Sequence, residues 1–160
     1  MDIVVTAVAA ICFAFAAGIF TVLSYIEKPV WSLMRDPTST AASDDTARLI
    51  HGELNRVIRL LPPTMKTTMA TATVLLLTQA WLRDFDWLSL GAMAVFAAFM
   101  TYLLFHLEAR IKAVAEVPSD GSITAVRDGL GKLAALHHVG LAMAVTMLAL
   151  QLTLIGGPGR

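Results

Sequence analysis

The chain alternates between long apolar runs and polar connections. The apolar runs cover residues 3–26, 64–82, 87–107 and 133–155. Each is close to the roughly 20 residues a helix needs to cross about 30 Å of hydrocarbon. None shows the period-two alternation of a half-buried strand. A chain in lipid must satisfy its backbone internally, so the pattern predicts four helices. The first connection is long, from Glu27 to Pro63. Within it, Ser43 precedes Asp44 and Asp45, a capping hydroxyl followed by acids at the positive dipole end, which marks a helix start. On that helix His51, Asn55 and Arg59 are spaced four apart and share one face, while Leu54, Val57, Ile58 and Leu61 fill another. This amphipathic helix meets the second apolar run at Pro62-Pro63. Proline offers no N–H to the carbonyl four residues back, so a kink or break is expected there. The amphipathic helix would then fold along the membrane surface or against the bundle. Arg83-Asp84-Phe85-Asp86 is a tight turn that makes the second and third runs an antiparallel hairpin, with Trp81 and Trp87 placed as interfacial aromatics. The third connection turns at 117–122, and Ser122 is expected to cap a last helix that starts about ten residues before its span.

The fold class that follows is all-α. It is an integral membrane four-helix bundle, a single membrane domain over 1–160, with helices extended on the cytoplasmic side and an amphipathic helix before the second span. Composition agrees: 57% of residues are hydrophobic and 15% charged, against roughly a quarter charged in soluble domains. A formal net charge of zero argues against nucleic acid as a partner. Cys12 is the one cysteine, so there is no disulfide framework and no Cys-based zinc site. The first run lacks a basic leader and exceeds the apolar core of a signal peptide, so it reads as a retained span. Ala10, Ala14, Gly18, Gly140 and Ala144 are small residues expected to pack inside the bundle rather than mark a dimer seam. Ten Lys and Arg fall in the first and third connections and their flanks, with Arg83 and Arg160 on the other side. That asymmetry places the basic side in the cytoplasm of a bacterial-type plasma (inner) membrane, with both termini outside it. The expected partners are membrane lipid and a small apolar substrate, with a homo-oligomer or a larger membrane complex as the assemblies to consider.

Ionisable groups in or at the edge of a membrane are candidates for function. At about 1.5 Å per residue, His106 lies about 28 Å down the third helix from Trp87, and His138 about 25 Å from Ile155 on the fourth. Glu27 ends the first span at the same level, and Arg59 and Lys66 flank the prolines there. His106, His137, His138 and Glu27 therefore gather at one edge, with His51, Asn55 and Arg59 placed to close the site. His137 and His138 diverge by about 100° on a helix, and periodicity leaves open which one faces the centre. A metal would draw on His106, His138 and Glu27, and a haem would take His106 and His138 as axial ligands. Thr67, Thr68, Thr71, Thr73 and Thr78 make the second run polar, and their hydroxyls are expected to bond to the preceding turn. There is no Walker, CxxC or GxSxG motif.

Several short segments carry a resemblance. Ala17-Gly18-Ile19-Phe20 leads to Lys28-Pro29, Leu54-Asn55-Arg56 leads to Leu61-Pro62-Pro63, and Leu136-His137-His138 is followed by Gly140. With four spans and a long first loop, the chain resembles the small four-span membrane proteins grouped with fungal anthrone oxygenases. The Pro-x-Asn segment common in that family reads His106-Leu107-Glu108-Ala109-Arg110 here. The resemblance implies an oxygen-dependent oxidation of a polycyclic phenolic substrate. The working expectation is an oxygenase-like oxidoreductase acting on an apolar aromatic or quinone-like molecule that enters from lipid. His138 or His137 would be the general base with His106 opposite, and Asn55 and Arg59 would hold a developing phenolate or peroxide. The alternatives are a haem- or metal-binding protein using His106 and His137/His138, and a non-enzymatic scaffold or complex subunit. A transporter ranks behind them.

Overall fold

The computed structural model describes residues 2–118 and 120–156, apart from the side chains at 62, 108 and 113. The side chains of Pro62 and Glu108, and the terminal Arg160 used in the charge count, thus lie outside the described residues. The described chain forms α1 (Asp2–Glu27), a 3₁₀ segment (Lys28–Met34), α2 (Asp44–Leu82), α3 (Trp87–Ala115) and α4 (Ile123–Gly156). Among the described residues every regular element is helical. Three stretches are long and apolar enough to cross a membrane: Asp2–Met34, Trp87–Lys112 and Ile123–Gly156. The second half of α2 falls short by composition, because Lys66, Gln79 and six threonines dilute its leucines.

The break at Pro62-Pro63 does not occur. α2 runs as one helix of 39 residues from Asp44 to Leu82. The prolines remove two donors but not the packing on either side of them. Leu54 and Ile50 are buried on one side and Ala72 and Leu76 on the other, so both halves stay helical against their neighbours. The start of α2 is as expected: the Ser43 hydroxyl accepts from the Thr46 N–H at 3.2 Å. The Arg83–Asp86 turn carries Asp84 and Phe85 at φ 51° and 55°, and this left-handed pair reverses the chain within four residues.

α1 and α4 form the most extensive helix pair. Gly140 lets them approach, since a Cβ there would lie 2.6 Å from the Phe20 ring. Gly131 does the same for the 3₁₀ segment, where a Cβ would lie 2.3 Å from the Leu33 carbonyl oxygen. Ala10 and Ala144 are buried as expected, but Ala14 and Gly18 are exposed, and a Cβ at Gly18 would meet nothing within 4 Å, so they are not bundle packing. Two larger interior clusters result among the described residues, beside a small one of Phe99, Leu103 and Leu136. One, around Phe20, Leu33, Leu54, Leu130 and Leu133, lies where α1 ends and α2 and α4 begin. The other, around Phe13, Leu76, Phe96 and Met147, lies toward the opposite end.

Each end is fastened by charge. At one end Arg83 joins Asp2 at 3.6 Å and Asp86 at 3.0 Å, tying the start of α1 to the α2–α3 turn. At the other the nearly buried Arg127 guanidinium organises the loop before α2. It donates to the carbonyls of Pro37 (2.7 Å), Ala42 (2.9 Å) and Ser39 and to the Asp44 carboxylate (2.6 Å).

Candidate functional site

The four histidines separate once their ring nitrogens are followed. His137 Nδ1 donates to Glu27 Oε1 at 2.7 Å. Glu27 is fully buried, and its second oxygen has no partner among the described residues. His137 is 8% exposed, lies beside the Phe20 ring, and its Nε2 makes no hydrogen bond among the described residues. A ring that donates through Nδ1 carries its lone pair on Nε2, so this imidazole presents a free base position with a carboxylate behind it. The last turn of α1 brings Glu27 to α4, and the close approach at Gly140 and Gly131 sets the spacing.

His138 is committed on both sides. Its Nδ1 donates to the Ala134 carbonyl at 2.8 Å, so Nε2 accepts from the Ser24 hydroxyl at 3.2 Å. The Trp31 ring meets its face edge-on, with centroids 5.1 Å apart. The Trp31 indole N–H donates to the Ser24 carbonyl at 3.2 Å, satisfying a carbonyl in the last turns of α1. His51 is also committed. Its Nε2 donates to the Val114 carbonyl at 3.0 Å, and its Nδ1 accepts from the Asn55 amide at 3.3 Å. Burial pushes its pKa below the ordinary histidine range, with the Arg48 charge adding to this and the Val114 bond opposing it. His51 and Asn55 thus latch α2 to the end of α3. His106 is exposed; its Nδ1 donates to the Tyr102 carbonyl at 2.9 Å, and its ring stacks on Tyr102.

The expected meeting of His106 with His137 or His138 is therefore not formed. His106 turns outward on its own helix because the Tyr102 carbonyl and ring, one turn back, hold it there. Asn55 is spent on His51, and Arg59 is exposed. What the structure brings together is Glu27 with His137, and beside them Ser24, His138 and Trp31. No group of three His, Cys, Asp or Glu able to hold a metal occurs among the described residues. His106 and His138 do not fit a haem either, since the Nε2 of His138 is occupied by Ser24 and His106 lies on an exposed face.

A second buried polar group lies toward the other end. Gln79 of α2 donates through Nε2 to Thr6 of α1 and to Gln151 of α4, both at 2.9 Å, and all three residues are buried. Gln79 Oε1 and Gln151 Nε2 have no partner among the described residues. Between the two polar levels is an apolar cavity of about 10 Å³, lined by residues including Phe13, Phe20, Met69, Phe99 and Met147. That is room for about one water, so a polycyclic molecule would have to approach His137 from outside the bundle.

Sequence reasoning placed Glu27 at the right level but missed Ser24, Trp31, Thr6 and Gln151. A signal existed for the glutamines: Gln79 and Gln151 each sit about one turn from the same end of a run, on helices that pack. For Ser24 none existed, because a serine in an apolar run is ordinarily bonded to its own helix. No protein family, no curated protein and no solved structure matches the chain.

Proposed function

We propose that this chain is an integral membrane four-helix bundle of a bacterial-type inner membrane, with both termini outside the cytoplasm. Its activity is that of an oxygenase-like oxidoreductase, which takes a proton from an apolar aromatic or quinone-like substrate at the cytoplasmic membrane edge. The fourth span is the second half of α2. Most of the polar side-chain groups that lower its apolarity are hydrogen-bonded within the chain. Gln79 bonds inside the bundle, and the hydroxyls of Thr67, Thr68, Thr73 and Thr78 donate to carbonyls four residues back.

The observation that carries the catalytic reading is the Glu27–His137 pair with its free Nε2. In this reading the acidic C–H of an anthrone-type substrate gives its proton to His137 Nε2. The imidazolium keeps its Nδ1–H on Glu27, which offsets the new charge. The carbanion electrons pass to dioxygen, and the balance is one CH₂ and one O₂ to one carbonyl and one water. Glu27 is the orienting group, and His137 is the base.

The test is oxygen uptake with an anthrone in lipid nanodiscs. His137→Gln is expected to lose on the order of a hundredfold in rate, the typical worth of a positioned base. A His137→Gln protein at full rate, or a wild-type protein no faster than empty nanodiscs, sinks the reading. The small cavity favours the second reading, a non-enzymatic scaffold or complex subunit. Its mark is an inactive protein that leaves the membrane with a stoichiometric partner.

A further inference from the structure

The double proline has a consequence that the Glu27–His137 pair does not use. In the unbroken α2, Pro62 and Pro63 leave the carbonyls of Ile58 and Arg59 without the N–H four residues on. Arg59, Pro63 and Lys66, at spacings of four and three, share one face, and all three are exposed. Arg59 and Lys66 stand about 10 Å apart along the axis, on either side of the freed carbonyls. Neither makes an ion pair among the described residues. Nearby Arg56, by contrast, is held by Glu53 at 3.4 Å. This face thus offers two cations for a phosphate and, between them along the axis, two carbonyls that lack the N–H four residues on.

We propose that this face binds an anionic glycerophospholipid whose headgroup carries free hydroxyls, as phosphatidylglycerol does. Arg59 and Lys66 take the phosphate, Arg59 with its two-pronged fork. The headgroup hydroxyls donate to the carbonyls of Ile58 and Arg59. A phospholipid is the occupant because the face lies where the polar half of α2 passes into its apolar half, the depth of headgroups. The site rests on the reading of α2 as a fourth span. It differs from general attraction of basic residues to a charged leaflet, which needs no hydroxyl.

Lipid retention by the full chain, read by native mass spectrometry from mixed micelles, separates the two. Phosphatidylglycerol is compared with phosphatidylmethanol, which has the same charge and no headgroup hydroxyl. The wild-type chain is expected to retain phosphatidylglycerol about fivefold or more over phosphatidylmethanol, the value of one to two net hydrogen bonds. Arg59→Gln with Lys66→Gln should lower retention of both. Pro62→Ala with Pro63→Ala restores the internal donors, so it should leave anionic retention in place and erase the preference. Equal retention of the two lipids by wild type overturns the proposal, as does a preference that survives the proline replacements. Melting in lipid-free detergent checks that the variants fold. Labelling of Thr71→Cys in a Cys12→Ser chain by a membrane-impermeant thiol reagent tests the span separately. Protection with equal lipid retention rejects the lipid site alone, while labelling rejects the span.

Discussion

Two buried polar groups lie at opposite ends of the same bundle and have different chemistry. Thr6, Gln79 and Gln151 are neutral, come from α1, α2 and α4, and bond to one another. Glu27 and His137 are ionisable, come from α1 and α4, and leave one oxygen and one ring nitrogen without a partner among the described residues. A neutral amide cluster inside a bundle fixes which helices meet and in what register, at modest energy. An ionisable pair is costly to bury, and inside a membrane such groups are candidates for function. The comparison teaches that burial of polar atoms alone does not mark a site. The neutral cluster too leaves Gln79 Oε1 and Gln151 Nε2 without a partner among the described residues, so the difference between the two levels rests on titratability.

The largest expected effect is on the frame of the ionisable pair. Gly131→Ala drives a methyl into the Leu33 carbonyl and pushes α4 away from the 3₁₀ segment. It should cost about 2–3 kcal/mol, as overpacking does, and should lower activity as well, because His137 moves with α4. Chemical or thermal unfolding with oxygen uptake on the same samples checks both. If stability and rate are unchanged, the close approach is not needed.

Next is Glu27→Ala. It strands the buried Nδ1–H of His137 at about 1–3 kcal/mol, the range for an unsatisfied buried donor, and removes the group behind the base. Gln79→Leu should cost less, about 1 kcal/mol for two intramembrane bonds, and should leave activity alone. The pair of variants sharpens the comparison. If Gln79→Leu abolishes oxidation while Glu27→Ala spares it, the roles of the two levels are reversed.

The helices themselves were legible in the chain. The first run was read as 3–26 and α1 is Asp2–Glu27; the third was read as starting at Trp87, where α3 does start. Hydropathy period and turn residues suffice for that, since each is local. The side-chain partners were not legible. His137 and His138 lie 100° apart on one helix with apolar neighbours at every flanking turn, so only the position of α1 decides that His137 meets Glu27 and His138 meets Ser24. The unbroken helix through Pro62-Pro63 was not legible for a related reason. A rule for an isolated helix ignores the packing that keeps both halves of α2 helical. Arg127 was counted as one of the basic residues, and nothing in its sequence surroundings shows that it binds three loop carbonyls.

A smaller effect concerns His51, whose neutral ring is latched between α2 and Val114. Its folded-state pKa lies below the unfolded one. The unfolded chain therefore takes up a proton that the folded chain refuses as pH falls through about 6.5. The stabilising term is complete above that pH and is lost below it. The melting temperature should fall between pH 7.5 and about 5 in the wild type and fall less in His51→Gln. An equal decline in both chains would remove His51 from the account.

The most direct test sets the two adjacent histidines against each other. Anthrone oxidation by His137→Gln and His138→Gln is measured in the same nanodiscs, with folding checked by melting. The account gives a loss on the order of a hundredfold for His137→Gln. His138, whose nitrogens are taken by Ala134 and Ser24, should be replaceable with a rate within about fivefold of wild type, a latch bond being worth about 1 kcal/mol or less. A His138→Gln protein that is inactive beside an active His137→Gln protein would contradict it.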